Sequence, residues 1–271
     1  MTDPTPAPGE WTPKLDTSVP HSARVWNYWL GGKDNFAVDR VVGDQLQEMN
    51  PQIVRIAQED RAFLGRVVRY LAADVGIRQF LDIGTGLPTA DNTHEVAQRV
   101  APDSRIVYVD NDPLVLVHAR ALLTSSPQGA CDYIEADLHE PDKILEGAAR
   151  TLDFAKPVAV MLLGIVLFVT DDDQAQAIVG RLMDAVPSGS YLALTHGTTV
   201  IEPEAMIEHT RHWNEHGTPK MTMRTPERIA HFFDGLELLT PGVVSCPRWR
   251  PDSPEAVPAD VDVFGGVGRK P

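Results

Sequence analysis

Two glycines at the end of an apolar strand are the feature that most constrains how this chain folds. Residues 80–86 read Phe-Leu-Asp-Ile-Gly-Thr-Gly, and a second apolar segment, 106–109, ends on Asp110. Glycines let the main chain approach a ligand because they carry no Cβ, and an acid after the next strand can accept both hydroxyls of a ribose. The pattern predicts a nucleoside-binding edge of a parallel sheet.

The residues after the glycines narrow the kind of nucleoside. A dinucleotide site has a third glycine at the start of a helix whose N-terminus holds the pyrophosphate. Here Thr89 occupies that position, and it follows Pro88, which has no N–H to donate. The segment therefore suits a ligand with a ribose and an adenine but no phosphates, and S-adenosylmethionine is the common cofactor of that description.

Composition and charge restrict the partners. A chain of 271 residues with 43% hydrophobic and 23% charged residues can bury a sizeable core. Its formal net charge of -14 disfavours nucleic acid and anionic membrane surfaces, because like charges repel. We expect a small-molecule partner, no nucleic acid and no membrane, and a homodimer is compatible with the sequence.

The cysteines and the N-terminus indicate a cytoplasmic protein. Cys131 and Cys246 are the only cysteines, and their wide separation fits neither a disulfide framework nor a metal site. The N-terminus carries Asp3 and prolines in place of the basic and apolar segments of a signal peptide. No cluster has metal-ligand spacing, so no metal is expected.

Helical periodicity precedes an alternation of strand-like and helix-like segments, which is typical of βαβ units. Residues 1–20 are predicted to be a disordered, Pro-rich tail, and three helices follow at 22–30, 34–49 and 58–73. Strands are predicted at 79–83, 105–109, 132–135, 158–163, 191–195, 236–244 and 261–267. Later helices are predicted at 93–100, 113–123, 141–149, 172–185, 203–215 and 226–233. The alternation predicts an α/β fold with a parallel sheet.

Segments at both ends of the chain carry a resemblance to a known family. Residues 23–28 read Ala-Arg-Val-Trp-Asn-Tyr, residues 30–36 read Leu-Gly-Gly-Lys-Asp-Asn-Phe, and residues 264–270 read Phe-Gly-Gly-Val-Gly-Arg-Lys. Together with Asp39, Arg40 and the series of strand ends, they resemble an actinobacterial family of S-adenosyl methyltransferases that was first catalogued as a domain of unknown function. The resemblance covers nearly the whole chain beyond the tail.

The resemblance implies a fold and a cofactor site. The fold would be Rossmann-like and doubly wound, with seven mostly parallel strands, an antiparallel last strand and an N-terminal helical cap over residues 21–75, and the class I methyltransferase core would span 76–271. Residues 82–86 would be the methionine-side glycine motif, Asp110 the ribose acid and 136–138 the adenine segment. Ser188 departs from the family's Pro-Gly-Gly turn. The predicted cofactor contacts are Asp82, Gly84, Thr85, Gly86, Asp110, Asn111, Asp137, Leu138 and Gly164.

Candidate catalytic residues are few. His196 follows the fifth strand on the ligand edge and could take a proton from an acceptor hydroxyl or amine, although a loop histidine with a hydrogen bond is the alternative. His94 is interpreted as an ordinary first-turn residue of a helix. Residues 164–168 contain no acid, Asn or His, so the floor of the acceptor pocket is predicted to be apolar and suited to an aromatic or lipophilic molecule.

An aromatic and polar cluster joins the first two predicted helices. We expect Tyr28, Lys33, Asn35 and Phe36, together with Phe168, to form a lid that shapes the acceptor site. Packing within the core is the alternative for the aromatic members of the cluster.

The function predicted from these features is methylation of a small molecule on oxygen or nitrogen, by in-line displacement from S-adenosylmethionine. Three alternatives remain open at this point: a protein that binds the donor or its demethylated product without catalysis, a nicotinamide-dependent oxidoreductase, and a methyltransferase that acts on protein or RNA.

Overall fold

The computed structural model describes residues 16–122 and 124–271. Most of the predicted tail, residues 1–15, and Leu123 at the end of the predicted helix 113–123 lie outside the described residues. Within the described ranges, no helix combines the length and apolar character that crossing a bilayer requires.

From residue 16 onward, three α-helices precede the sheet, close to where the sequence predicts them. They are α1 (Ser22–Trp29), α2 (Ala37–Met49) and α3 (Ile53–Tyr70), and α3 continues into a π-helical turn, Leu71–Val75. Helix α2 begins where Asp39 accepts the backbone N–H of Phe36 at 2.8 Å, an N-terminal capping contact. The buried residues of α3 recur at helical spacing and include Phe63, Val67 and Val68.

Eight strands form one mixed sheet in the described part of the chain. They are β1 (Gln79–Ile83), β2 (Arg105–Asp110), β3 (Ala130–Glu135), β4 (Ala159–Leu163), β5 (Tyr191–Gly197), β6 (Glu237–Leu238), β7 (Val244–Ser245) and β8 (Val263–Arg269). The predicted strand 236–244 is therefore two short strands. The chain turns between them at Pro241 and Gly242, so the segment does not stay extended. This split raises the count from seven strands to eight.

Strand order reverses at the centre of the sheet. The order is β3-β2-β1-β4-β5-β8-β6, and β7 also pairs with β8. Strands β1 to β5 run parallel to one another, whereas β8 runs antiparallel to β5, which confirms the predicted Rossmann-like class. Ligands of such sheets bind beyond the carboxyl ends of the strands where the order reverses, which here lies between β1 and β4.

Six further α-helices surround the sheet in residues 16–122 and 124–271. They are α4 (Thr93–Val100), α5 (Pro113–Leu122), α6 (Pro141–Ala148), α7 (Asp172–Asp184), α8 (Pro203–His216) and α9 (Pro226–His231). Two apolar layers result, one on each face of the sheet. The first layer contains buried side chains of α1, α2, α3, α4 and α8, and the second contains those of α6, α7 and α9.

Helix α3 attaches the N-terminal helices to the sheet. Phe63 is fully buried, and a Cβ placed on Gly265 of β8 would lie 2.9 Å from its ring. The same ring packs edge-on against Trp249 with centroids 5.4 Å apart. Arg66 donates hydrogen bonds to the carbonyl oxygens of Trp249 and Cys246 at 3.0 and 2.7 Å, so α3 is held by apolar and polar contacts together.

A buried ion pair ties α1 to the loop after β2. Arg24 Nε donates to Asp112 Oδ2 at 3.3 Å, and these residues are 4% and 2% exposed. The other oxygen of Asp112 accepts the N–H of Leu114 at 2.9 Å at the start of α5. Because Asp112 follows Asp110 by two residues, this pair fixes α1 over the strand end that carries the predicted ribose acid.

Replacing Arg24 with methionine is expected to destabilise the fold by about 3–5 kcal/mol, since Asp112 would stay buried without its positive partner. Urea unfolding followed by circular dichroism measures the loss. Arg40→Met is the matched control, because Arg40 is exposed and its guanidinium bonds only Asn35 among the described residues. The control should change stability by less than about 1 kcal/mol. Equal losses in the two variants would contradict the assignment.

Candidate functional site

The carboxyl ends of β1, β2, β4 and β5 open into a cavity of about 1750 Å³, counted with the open space at its mouth. Helices α1, α3 and α8 contribute to its walls from above the sheet. The cavity lies at the reversal of strand order, where the fold predicts a ligand.

The loop after β1 leaves bare backbone facing the cavity. Gly84 and Gly86 have φ angles of 77° and 66°, a region that side chains disfavour. A Cβ on Gly84 would lie 2.5 Å from the side chain of Ile165, so the loops after β1 and β4 pack directly together. The N–H groups of Gly84 and Thr85 both donate to the carbonyl of Val109 in β2, at 2.8 and 3.2 Å.

Asp110 holds the glycine loop in addition to facing the cavity. Its Oδ2 accepts the N–H of Gly86 at 2.8 Å, and its Oδ1 accepts the N–H of Asp112 at 2.9 Å. Burial raises the pKa of Asp110 to about 6, against the lowering effect of these two hydrogen bonds. Each carboxylate oxygen has a further lone pair, so the group can still accept from a ligand.

Asp137 lies at the far end of the same edge, in a hydrogen-bonded group with Asn111 and His139. Asn111 Nδ2 donates to Asp137 Oδ2 at 2.7 Å, and the N–H of His139 donates to Oδ1 at 2.9 Å. Partial burial raises the pKa of Asp137, but the hydrogen bonds from His139 and Asn111 outweigh it, and the net shift is downward. Leu138, which stands between Asp137 and His139 in the sequence, is buried and lines the cavity.

Asp82 faces the cavity from within β1. Its Oδ2 accepts the hydroxyl of Thr93 at 2.6 Å, at the start of α4, and burial raises its pKa to about 6. Thr85 donates its hydroxyl to the main-chain oxygen of Asp82 at 3.0 Å. His94 does not line the cavity. Its backbone N–H and its ring Nδ1 both form hydrogen bonds with the hydroxyl of Tyr108.

Two neighbouring charged residues of α3 line the cavity and were not identified from the sequence. Asp60 is 6% exposed and lies beside Gly164, and Arg61 donates to Ala90 and Asn92 in the segment before α4. Burial raises the pKa of Asp60 to about 6, opposed by the Thr195 hydroxyl and by Arg61. The available signal was an acid at position 60 within the apolar stripe of Ile56 and Phe63.

The part of the cavity beyond β4 and β5 is apolar. Its lining includes Trp29, Ile56, Phe168, Met206, Trp213, Met221 and Met223. His209 of α8 also lines this part, where burial lowers its pKa to about 4. Its Nδ1 is buried and has no hydrogen-bond partner in the described part of the chain. The cavity thus combines a polar half over β1–β3 with an apolar half that contains a neutral imidazole.

Four of the predicted lid residues do not line the cavity. Tyr28 donates its hydroxyl to Asp44 and so joins α1 to α2. Asn35 Nδ2 donates to Asn27 Oδ1 at 2.9 Å and joins the loop after α1 to that helix. Phe36 packs under the Arg24 guanidinium, and Lys33 is exposed. Phe168 does line the cavity.

From α1, the residues that reach the cavity are Trp26, Asn27, Trp29 and Leu30, with Ser22 and Ala23 at its start. The helix itself therefore covers the cavity, and the loop that follows it braces the helix against α2.

His196 is buried outside the cavity lining. Its Nε2 lies 2.8 Å from Arg224 Nη1 and accepts that N–H, while its Nδ1 lies 2.7 Å from the carbonyl of Gly197. Burial and the charge of Arg224 lower its pKa to about 3. Both ring nitrogens are engaged by the protein, so this position does not fit the acceptor-facing base expected from the sequence.

The chain is similar to known proteins over nearly its whole length. A family model described as S-adenosyl methyltransferase matches residues 8–271. A DUF574 protein from Streptomyces avermitilis MA-4680 is 44% identical, with TM-score 0.90, over 94% of this chain and 99% of that one. A protein from Thermobifida fusca YX, described as a proposed methyltransferase, is 42% identical, with TM-score 0.87, over 95% of this chain and 97% of that one.

More distant structures share only the fold. A SAM-dependent methyltransferase from Anabaena variabilis ATCC 29413 has TM-score 0.53 at 16% identity, over 85% of this chain and 95% of that one. A search of curated protein sequences found no match.

The raised pKa of Asp60 predicts a pH-dependent stability. Because its folded-state value of about 6 exceeds the ordinary 3.8, the folded protein binds this proton more tightly, and the stability that it contributes is lost as pH rises through about 6. Asp60→Asn should therefore be more stable than the wild type at pH 8, by on the order of 1–3 kcal/mol, and the advantage should vanish near pH 4. Urea unfolding at several pH values tests this, with exposed Asp74→Asn as control. A pH-independent difference would contradict it.

Proposed function

This chain belongs to the S-adenosyl methyltransferase family, and we propose that it methylates a small, largely apolar molecule on oxygen or nitrogen. The family, the fold class and the cofactor predicted from the sequence are confirmed by the family model and by the two similar structures. The protein is a SAM-dependent methyltransferase. The acceptor and the roles of individual residues are the subject of the proposal.

The polar half of the cavity fits the methyl donor. S-adenosylmethionine supplies an electrophilic methyl group on a sulfonium, together with a ribose and an adenine. Gly84 and Gly86 offer bare backbone to it, and Asp110 offers acceptor lone pairs to a ribose. The remaining proposed contacts are Asp82, Thr85, Asn111, Asp137, Leu138 and Gly164, all of which line the same cavity.

The apolar half supports an acceptor with an aromatic or lipophilic body. Side chains such as Trp29, Phe168 and Met206 would exclude water from the reacting atoms and hold the acceptor in place. His209 is the histidine of this half with an unpartnered, neutral imidazole, and we assign to it the proton-accepting role that the sequence suggested for His196. The single observation that carries the proposal is this division of one cavity into a polar and an apolar half.

Two rival classes receive less support. A nicotinamide oxidoreductase needs a third glycine and a phosphate cradle directly after the glycine loop, where Pro88 and Thr89 stand instead. The acidic net charge of -14 disfavours an RNA acceptor. A cytoplasmic location is part of the proposal, since Cys131 and Cys246 are both free thiols.

The decisive experiment follows methyl groups. Purified protein, methyl-labelled S-adenosylmethionine and an actinobacterial metabolite extract should yield label in a solvent-extractable small molecule, with one S-adenosylhomocysteine formed per methyl transferred. Asp110→Ala should bind S-adenosylhomocysteine at least about 100-fold more weakly, because two charge-assisted hydrogen bonds are lost. Tight binding of S-adenosylhomocysteine without turnover of any fraction would favour a non-catalytic binding protein.

Blocking the apolar half should separate acceptor binding from donor binding. Met223 is half-buried and lines the cavity beside Gly197. Met223→Trp should reduce kcat/KM for the acceptor by about 10-fold or more by filling this space, with unchanged affinity for S-adenosylhomocysteine by calorimetry. Met223→Leu, which conserves volume, is the control. Loss of S-adenosylhomocysteine binding in the Trp variant would contradict the division of the cavity.

A further inference from the structure

Asp60 and Arg61 of α3 each present an unpartnered polar atom within the cavity wall. Asp60 Oδ1 and Arg61 Nε are both buried, and neither has a hydrogen-bond partner in residues 16–122 and 124–271. Buried donors and acceptors in folded proteins are almost always satisfied, because an unmet one loses its hydration without compensation. Two such atoms on adjacent residues, both lining one cavity, indicate groups that a ligand completes.

Asp60 and Arg61 do not form an ion pair with each other. Arg61 forms no ion pair within 4.0 Å with any carboxylate of the described residues, including its neighbour Asp60. Its Nη2 instead donates to the carbonyl of Ala90 and to Asn92 Oδ1, at 3.0 and 3.1 Å. A carboxylate and a guanidinium that stay separate can receive a ligand bearing one group of each sign.

The two side chains contact different loops of the cavity wall. Asp60 Oδ2 is 3.8 Å from the point that a Cβ on Gly164 would occupy, at the end of β4. Arg61 is held next to the start of α4, which follows the loop after β1. Both residues line the same cavity as Gly84 and Gly164, at the edge where the strand order reverses.

We propose that Asp60 and Arg61 bind the α-amino acid end of the methyl donor, Asp60 the ammonium group and Arg61 the carboxylate. The inference rests on the proposed function, since an α-amino acid carries both charges on one carbon, and the donor ends in one. The helical cap is then part of the donor site and selects against adenosine compounds without this end.

Asp82 is the competing partner for the ammonium. It faces the same cavity, and the sequence left open whether it contacts that group. Each carboxylate has one oxygen that a threonine hydroxyl bonds, Thr93 for Asp82 and Thr195 for Asp60, but the other oxygen of Asp60 is also buried and has no partner in the described residues. This difference assigns the ammonium to Asp60.

Calorimetry with three ligands tests the inference. The probes are S-adenosylhomocysteine, its decarboxylated analogue, which keeps the amine, and methylthioadenosine, which lacks the whole amino acid end. Arg61→Met should weaken binding of S-adenosylhomocysteine by about 10–100-fold and leave the other two ligands within about 3-fold. Asp60→Asn should weaken S-adenosylhomocysteine and the decarboxylated analogue alike and leave methylthioadenosine unchanged. Unchanged binding of methylthioadenosine also shows that a variant is folded.

Two variants on the same helix are the matched controls. Arg69→Met and Glu59→Gln alter the same helix at residues outside the cavity lining and should change no affinity. Equal losses for all three ligands in Arg61→Met, or equal affinity of the wild type for S-adenosylhomocysteine and methylthioadenosine, would overturn the inference and leave the proposed function standing. Loss of the decarboxylated analogue in Asp82→Asn alone would overturn the assignment of Asp60. A wild type that binds none of the three would overturn both the inference and the proposed function.

Discussion

The reversal of strand order between β1 and β4 is the constraint on which the rest of the structure depends. Because the chain leaves these parallel neighbours in different directions, a crevice opens above Gly84 and Gly164. The crevice is narrow, since the side chain of Ile165 occupies the space where a Cβ on Gly84 would lie. Position 84 therefore has no room for a side chain of its own, and the polar side chains that serve a ligand must come from neighbouring strand ends and from above. Helices α1 and α3 meet that requirement, and the buried Arg24–Asp112 pair fixes α1 to the same edge.

Much of the fold could be predicted because its signals are local. The apolar strands, the helical spacing and the glycine loop are each encoded within a few residues, and the rule for parallel sheets then places Asp82, Asp110 and Asp137 on one edge without further information. Asp60 is different. Its position in an apolar stripe is visible in the sequence, but its surroundings come from Gly164 and Thr195, more than a hundred positions away, and only the packing of α3 against the sheet brings them together.

The side chains that sequence reasoning placed differently from the structure share a second cause, which is direction. His196 stands at a strand end as expected, but successive residues of a strand point to opposite faces. Gly197 lines the cavity, but His196 does not. The ring of His196 instead accepts a hydrogen bond from Arg224, which lies 28 positions later in the chain. Asn35 behaves similarly, because the turn after α1 directs it back to Asn27. Strand ends and helix junctions can be located from the sequence, whereas the face that each side chain occupies depends on distant partners.

The charges of the site bear on how the proposed reaction proceeds. Asp60, Asp82 and Asp110 are all buried, and their raised pKa values show that burial disfavours their ionised forms. A ligand with positive charge relieves that penalty, and a methyl donor carries a sulfonium in addition to its ammonium. After transfer the sulfur is neutral, so the same carboxylates stabilise the product less than the donor. The attraction between these carboxylates and the sulfonium would thus favour binding of the donor. Loss of the sulfonium charge on methyl transfer would favour release of the product, without any change in the apolar half.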